Sequence, residues 1–134
     1  MLKFKTAMAA AMALAATSAL ADELQSLRGA WVMAGMDCAE TFVKEGSGWK
    51  FKDRNSSLNT GLLLQGNQIL SPGATCTLSR VRSKGDHLVA SLGCADAIMF
   101  NEVSVSFKIL DADHFQRFDP DFPESAVTYQ RCTQ

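Results

Sequence analysis

The chain has 134 residues, 47% of them hydrophobic and 20% charged, with a formal charge of −1. No basic block occurs, which argues against nucleic acid and anionic membrane surfaces as partners. Four cysteines in so short a chain point either to disulfides or to a metal site, and the amino terminus bears on which.

Residues 1–21 read as a secretory signal peptide. Lys3 and Lys5 form a positive start, Ala7 to Ala16 is an apolar run, and Thr17-Ser18-Ala19-Leu20-Ala21 ends in a small-x-small cleavage pattern. The apolar run is shorter than the roughly 20 residues a membrane span needs. Cleavage after Ala21 leaves residues 22–134 as one domain with a charge of −3, because both lost charges are lysines. The expected product is exported to the periplasm, monomeric and not inserted in a membrane. In that oxidising compartment Cys38, Cys76, Cys94 and Cys132 are expected to form two disulfides. They also lack the close Cys-x-x-Cys pairs of a structural zinc site.

Leu24 to Leu27 can form one helical turn before the first strand. Short alternating segments follow, separated by turn residues. Strands are expected over Ala30 to Met36, Glu40 to Lys44, Trp49 to Lys52, Leu62 to Leu64, Cys76 to Val81, His87 to Ser91, Val103 to Ile109 and Ala126 to Arg131. The clearest is Val103-Ser104-Val105-Ser106-Phe107-Lys108-Ile109, apolar on one face and polar on the other. Glu45 to Gly48, Gln65 to Gln68, Ser71 to Gly73 and Ser83 to Asp86 supply reversals. Phe118 to Glu124, with two prolines, is expected to be the longest irregular piece. About eight short strands suggest a small antiparallel barrel, a size that inward side chains can nearly fill.

The cysteine spacings are symmetric. An offset of 56 residues lays Cys38 over Cys94 and Cys76 over Cys132, and allows an internal repeat of 22–77 and 78–133. It favours Cys38–Cys76 with Cys94–Cys132. The hairpin around Gly85 offers the rival, placing Cys76 opposite Cys94 and leaving Cys38 for Cys132.

Gly29-x-Trp31 on the first strand, just after a helical turn, resembles the opening signature of lipocalin and calycin barrels. There the Trp sits at the closed end under a basic side chain from the last strand. The resemblance implies Arg131 as that cover, with Arg117 as the alternative, and Gly29, Trp31 and Arg131 as the structural signature. Guanidinium stacked on indole is worth roughly 0.5–2 kcal/mol. Leu27-x-Gly29-x-Trp31-Val32-Met33-x-Gly35, followed by Cys38, is similar to the start of the periplasmic inhibitors of serralysin-type metalloproteases. Gly73-Ala74-Thr75-Cys76-x-Leu78 is similar to the segment holding their second cysteine, which implies a Cys38–Cys76 bridge. Those inhibitors insert a free amino-terminal segment into the protease, whereas only Asp22-Glu23-Leu24-Gln25-Ser26 precedes the first strand here.

No catalytic constellation emerges. There is no Gly-x-Ser-x-Gly elbow or phosphate-binding glycine loop, and the even cysteine count leaves no spare thiol. No cofactor is implied. His87 reads as structural. His114 beside Asp111 and Asp113 has too few neighbouring ligands for a metal. Met33, Met36 and Met99 are expected to fill the core. Phe115, Phe118, Phe122 and Tyr129 could plug one barrel end. Left exposed instead, Phe118, Asp119, Asp121 and Phe122 would form an interaction loop. The function expected is non-catalytic binding, of a protein partner as a hydrolase inhibitor or of a small apolar ligand in the barrel interior. Trp31, Trp49, Phe51 and Phe107 inside the barrel would leave little room for the latter.

Overall fold

The structure is a computed structural model that describes residues 23–56 and 59–133. The expected signal peptide, residues 1–21, lies outside the described residues. Ten strands and one short helix follow a helical turn at residues 23–25: β1 (Gly29–Met33), α1 (Cys38–Thr41), β2 (Phe42–Glu45), β3 (Gly48–Phe51), β4 (Leu62–Gln65), β5 (Gln68–Leu70), β6 (Thr75–Lys84), β7 (His87–Ala95), β8 (Phe100–Asp111), β9 (His114–Asp119) and β10 (Phe122–Arg131). Eight strands close an antiparallel barrel in the order β1-β10-β9-β8-β7-β6-β5-β4. From β4 to β10 it is a simple meander, and β1 seals the seam. Trp31 pairs with Arg131 on one side of β1 and with Leu62 on the other.

Most of the expected strands are present, and the differences have local causes. Residues 38–41, partly assigned to a strand, are helical because Asp37 caps them, its carboxylate accepting from Ala39 N–H at 2.8 Å. Asp37-x-x-Glu40 also has capping-box spacing. The stretch Phe118 to Glu124 is not an irregular loop. β9 runs through Asp119 and β10 resumes at Phe122, with Asp119 opposite Phe122. The prolines are accommodated because the pairing breaks between Phe122 and Val127, so Pro123 is spared a ladder hydrogen bond.

The barrel core contains Leu24, Leu27, Trp31, Leu62, Leu64, Leu88, Ala90, Leu92, Phe107, Phe115 and Tyr129. Phe115 anchors the aromatic centre, with its ring 4.6 Å from Trp31, 5.2 Å from Tyr129 and 5.7 Å from Phe107. Trp49 and Phe51 do not enter the barrel. They sit on the separate β2–β3 hairpin and pack outside it with Phe42, Ala30, Val32 and Leu63. This second layer explains why β1 and β4 lack the alternation of β8. Both of their faces are covered, so both are apolar. Met33 packs against the core, but Met36 and Met99 are exposed rather than filling it.

The bridges are Cys38–Cys132 and Cys76–Cys94. This corrects the expected Cys38–Cys76 and Cys94–Cys132. Cys76 stands directly opposite Cys94 in the β6–β7 ladder, brought into line by a register shift between Leu78 and Arg80. Cys132 follows β10 and meets α1 outside the seam. The pairing removes the main support for an internal repeat, since no bridge stays within either half.

On the outward face of β8, Ser106 is fully buried, and its hydroxyl has no hydrogen-bond partner among the described residues. Leaving such a group unsatisfied costs about 1–3 kcal/mol. Ser106→Ala is therefore expected to raise stability by about 1 kcal/mol, read as a higher urea midpoint at unchanged slope. A lower midpoint would show that the hydroxyl contributes a bond.

Candidate interaction site at the open end of the barrel

The two barrel ends are built differently. At the end where β1 begins, the helical turn folds back as a cap, burying Leu24 and Leu27. Trp31 Nε1 donates to Leu27 O at 2.7 Å. The Arg131 guanidinium lies 4.4 Å above the Trp31 ring, as the sequence signature implied. It also donates to Ser26 O at 2.8 Å, Ala112 O at 3.0 Å and Arg28 O, so nearly every group around it is used. Gly29 has φ of +128°, and a side chain there would stand 3.2 Å from the Arg131 guanidinium. The glycine is thus needed both for backbone conformation and for close approach. Arg117, the alternative cover, lies instead over Tyr129, 5.6 Å from its ring centre. Burial pushes the Tyr129 phenol above its ordinary pKa, with Arg117 opposing the shift.

The polar groups of the cap are spent within it, and beside it lies an open groove of about 500 Å³ whose lining includes Gly48, Trp49, Leu63 and Arg131. The opposite end is where β7 passes to β8 and β9 to β10. Asp96 shapes the first of these turns, its Oδ1 accepting from Ile98 N–H and Met99 N–H, each at 2.7 Å. Those two bonds hold its carboxyl below the usual pKa. The turn projects an apolar tip, in which Ile98 is 91% exposed, Met99 56% and Phe100 67%. Phe100 is nevertheless held in place, because its ring lies against Gly93, where a Cβ would come within 2.8 Å of it. Phe122, at the start of β10, is 57% exposed.

The expected interaction loop is therefore only partly assembled. Asp119, Asp121 and Phe122 do reach the open end, and Asp119 Oδ1 accepts from Asp121 N–H at 2.8 Å. Phe118 is half-buried with its ring 5.1 Å from His87, while Phe115 and Tyr129 belong to the core. No common plug forms from the four. His87 is held by Asp86, whose carboxyl is drawn down to about 2 by its hydrogen bonds to His87 and Lys108. His114 Nδ1 lies 2.8 Å from Asp111 Oδ1 within the β8–β9 turn.

The Ile98-Met99-Phe100 tip was not anticipated from the sequence, although Asp96 followed by an apolar run between two strands was its signal. Between β8, β9 and β10 lies an open groove of about 380 Å³, lined by Val103, Val105, Arg117, Asp119, Ser125 and Val127, among others. The Arg117 guanidinium is half-buried there, without a hydrogen bond or ion pair among the described residues.

No protein family, curated protein or solved structure matches the chain. Its architecture is a closed eight-stranded antiparallel β-barrel with two disulfides, compatible with a lipocalin-like fold.

Proposed function

We propose that this is an exported, non-catalytic binding protein that engages a protein partner, in the manner of a hydrolase inhibitor, through the open end of its barrel. The observation that carries this reading is a filled interior beside an exposed apolar rim. A carrier of small apolar ligands needs an internal void. Here Trp31, Phe107, Phe115 and Tyr129 occupy the barrel centre, and the space beside Leu24, Leu64, Ile69 and Leu78 under the cap is about 20 Å³, room for one or two waters. The groove of about 380 Å³ at the other end is open to solvent rather than enclosed. Contiguous Ile98, Met99 and Phe100 instead have the composition of an interface anchor.

The resemblance to inhibitors of serralysin-type metalloproteases supplies the first target class to try. Their free amino-terminal segment has no counterpart in residues 23–28, which fold onto the barrel as its cap. That directs attention to the opposite end. The test is capture from a periplasmic extract on the immobilised protein, followed by hydrolase assays of whatever is retained. Inhibition saturating at one-to-one stoichiometry is expected, with affinity falling at least about tenfold in Ile98→Asp/Phe100→Asp. No retained protein at micromolar concentration, or equal retention by the double variant, would overturn the reading.

A further inference from the structure

Resting on that protein-binding reading, we infer that the partner is held as an added β-strand along the free edge of β8. The occupant is an extended segment of neutral-to-basic sequence with apolar residues at alternate positions. β8 is twelve residues long, and β7 pairs with it from Phe100 to Phe107. β9 pairs with it only from Ser106 onward, so residues 100–104 are paired on one side alone. Their remaining N–H and C=O groups form an unfinished ladder, which another backbone satisfies better than any side chain can. β10 does not fill the position, since its partners are β1 and β9, and its segment between Phe122 and Val127 is irregular even against β9.

The groove described above runs along this edge. Its apolar floor, Val103, Val105 and Val127, suits alternate side chains of a strand laid beside β8. The Arg117 guanidinium, with its N–H groups unspent, is placed to donate to that strand's carbonyls. The exposed tip at Phe100 extends the same edge outward.

Charge selects the occupant. Glu102, Asp119, Asp121 and Glu124 stand on the segments flanking the edge, against the single cation Arg117. A second copy pairing edge to edge would set these acids against their own kind, which is unfavourable across strands. A segment carrying lysine or arginine between its apolar residues meets them with opposite charge.

The test is selection of a displayed library of random decapeptides on the intact, disulfide-bonded protein. Selected peptides are expected to alternate apolar and polar residues, with lysine and arginine in excess over acids. Single N-methyl groups along one peptide edge should weaken binding by about tenfold or more, and those along the other edge by little. Amide exchange at residues 100–104 should slow at least about tenfold with peptide bound. The N-methyl series leaves the protein unchanged, so misfolding cannot imitate the effect. Failure to select any peptide, binding indifferent to N-methylation, or unchanged exchange at residues 100–104 would overturn strand addition. So would a dimer in sedimentation that already protects those amides. The protein-binding reading fails separately, by absence of any captured partner, and survives if a partner binds the Ile98–Phe100 tip without protecting β8.

Discussion

Replacing Trp31 by alanine is expected to lower the unfolding free energy by about 3–5 kcal/mol, among the largest effects of any single truncation in the chain. Its side chain is fully buried, packs edge-on against Phe115 and donates its indole N–H to Leu27 O. Truncation leaves a cavity beneath the cap and strands that carbonyl. It also removes the surface over which Arg131 is laid. The two residues should therefore couple: Arg131→Ala should cost about 1 kcal/mol less in the Trp31→Ala background than in the native chain. Urea unfolding of the four proteins with disulfides intact measures both quantities. A loss below 1 kcal/mol for Trp31→Ala would mean that the cap, and not the indole, closes the barrel end. Additive losses would deny the stacking a role.

The second large effect belongs to the seam. Removing the Cys38–Cys132 bridge with Cys38→Ser/Cys132→Ser is expected to cost about 4–5 kcal/mol, against about 3 kcal/mol for Cys76→Ser/Cys94→Ser. The difference follows from loop length, since the bridges span 94 and 18 residues respectively. A longer closed loop restricts the unfolded chain more. Against the roughly 5–15 kcal/mol that holds a domain of this kind together, the first loss is severe. Its local signature should be exposure of Phe42 and Trp49, because Cys132 packs in the outer layer with them. Mass mapping of the bridged peptides checks the premise, and recovery of Cys38 linked to Cys76 would overturn it. Equal losses from the two variants would deny the entropic account.

Much of the barrel was legible in the residues. The alternation of Val103, Val105, Phe107 and Ile109 against Ser104, Ser106 and Lys108 is a direct imprint of one buried and one wet face. The glycines at 46, 66 and 85 mark reversals where the backbone takes positive φ, as turns of that hand demand. The roles of Gly29, Trp31 and Arg131 were implied by the resemblance to lipocalin and calycin barrels, and agree with the first and last strands of a closed meander being neighbours. The open end was legible only in part. Prolines mark the segment of Asp121 and Phe122, while Met99 reads as a core residue and Ile98 and Phe100 carry no local signal, since a short apolar run has no period that marks it as exposed. Nothing local to β8 tells that β9 stops short of its first residues.

The chain's own chemistry thus determined the class of structure: inward alternation, turn positions, an even set of cysteines and a Trp-Arg pair joining the first strand to the last. These are local or nearest-strand properties, carried by side-chain type and spacing. Tertiary structure alone decided which cysteines meet, that Trp49 and Phe51 lie outside the barrel, and that one edge of β8 is left open. The Cys38–Cys132 bridge and the outer position of β2–β3 depend on segments far apart in sequence. The Cys76–Cys94 pair and the open edge of β8 depend instead on a bulge and a strand end that set the register of neighbouring strands. That register is set by packing of the whole core, so a one-residue difference that no local pattern records changes every contact that follows.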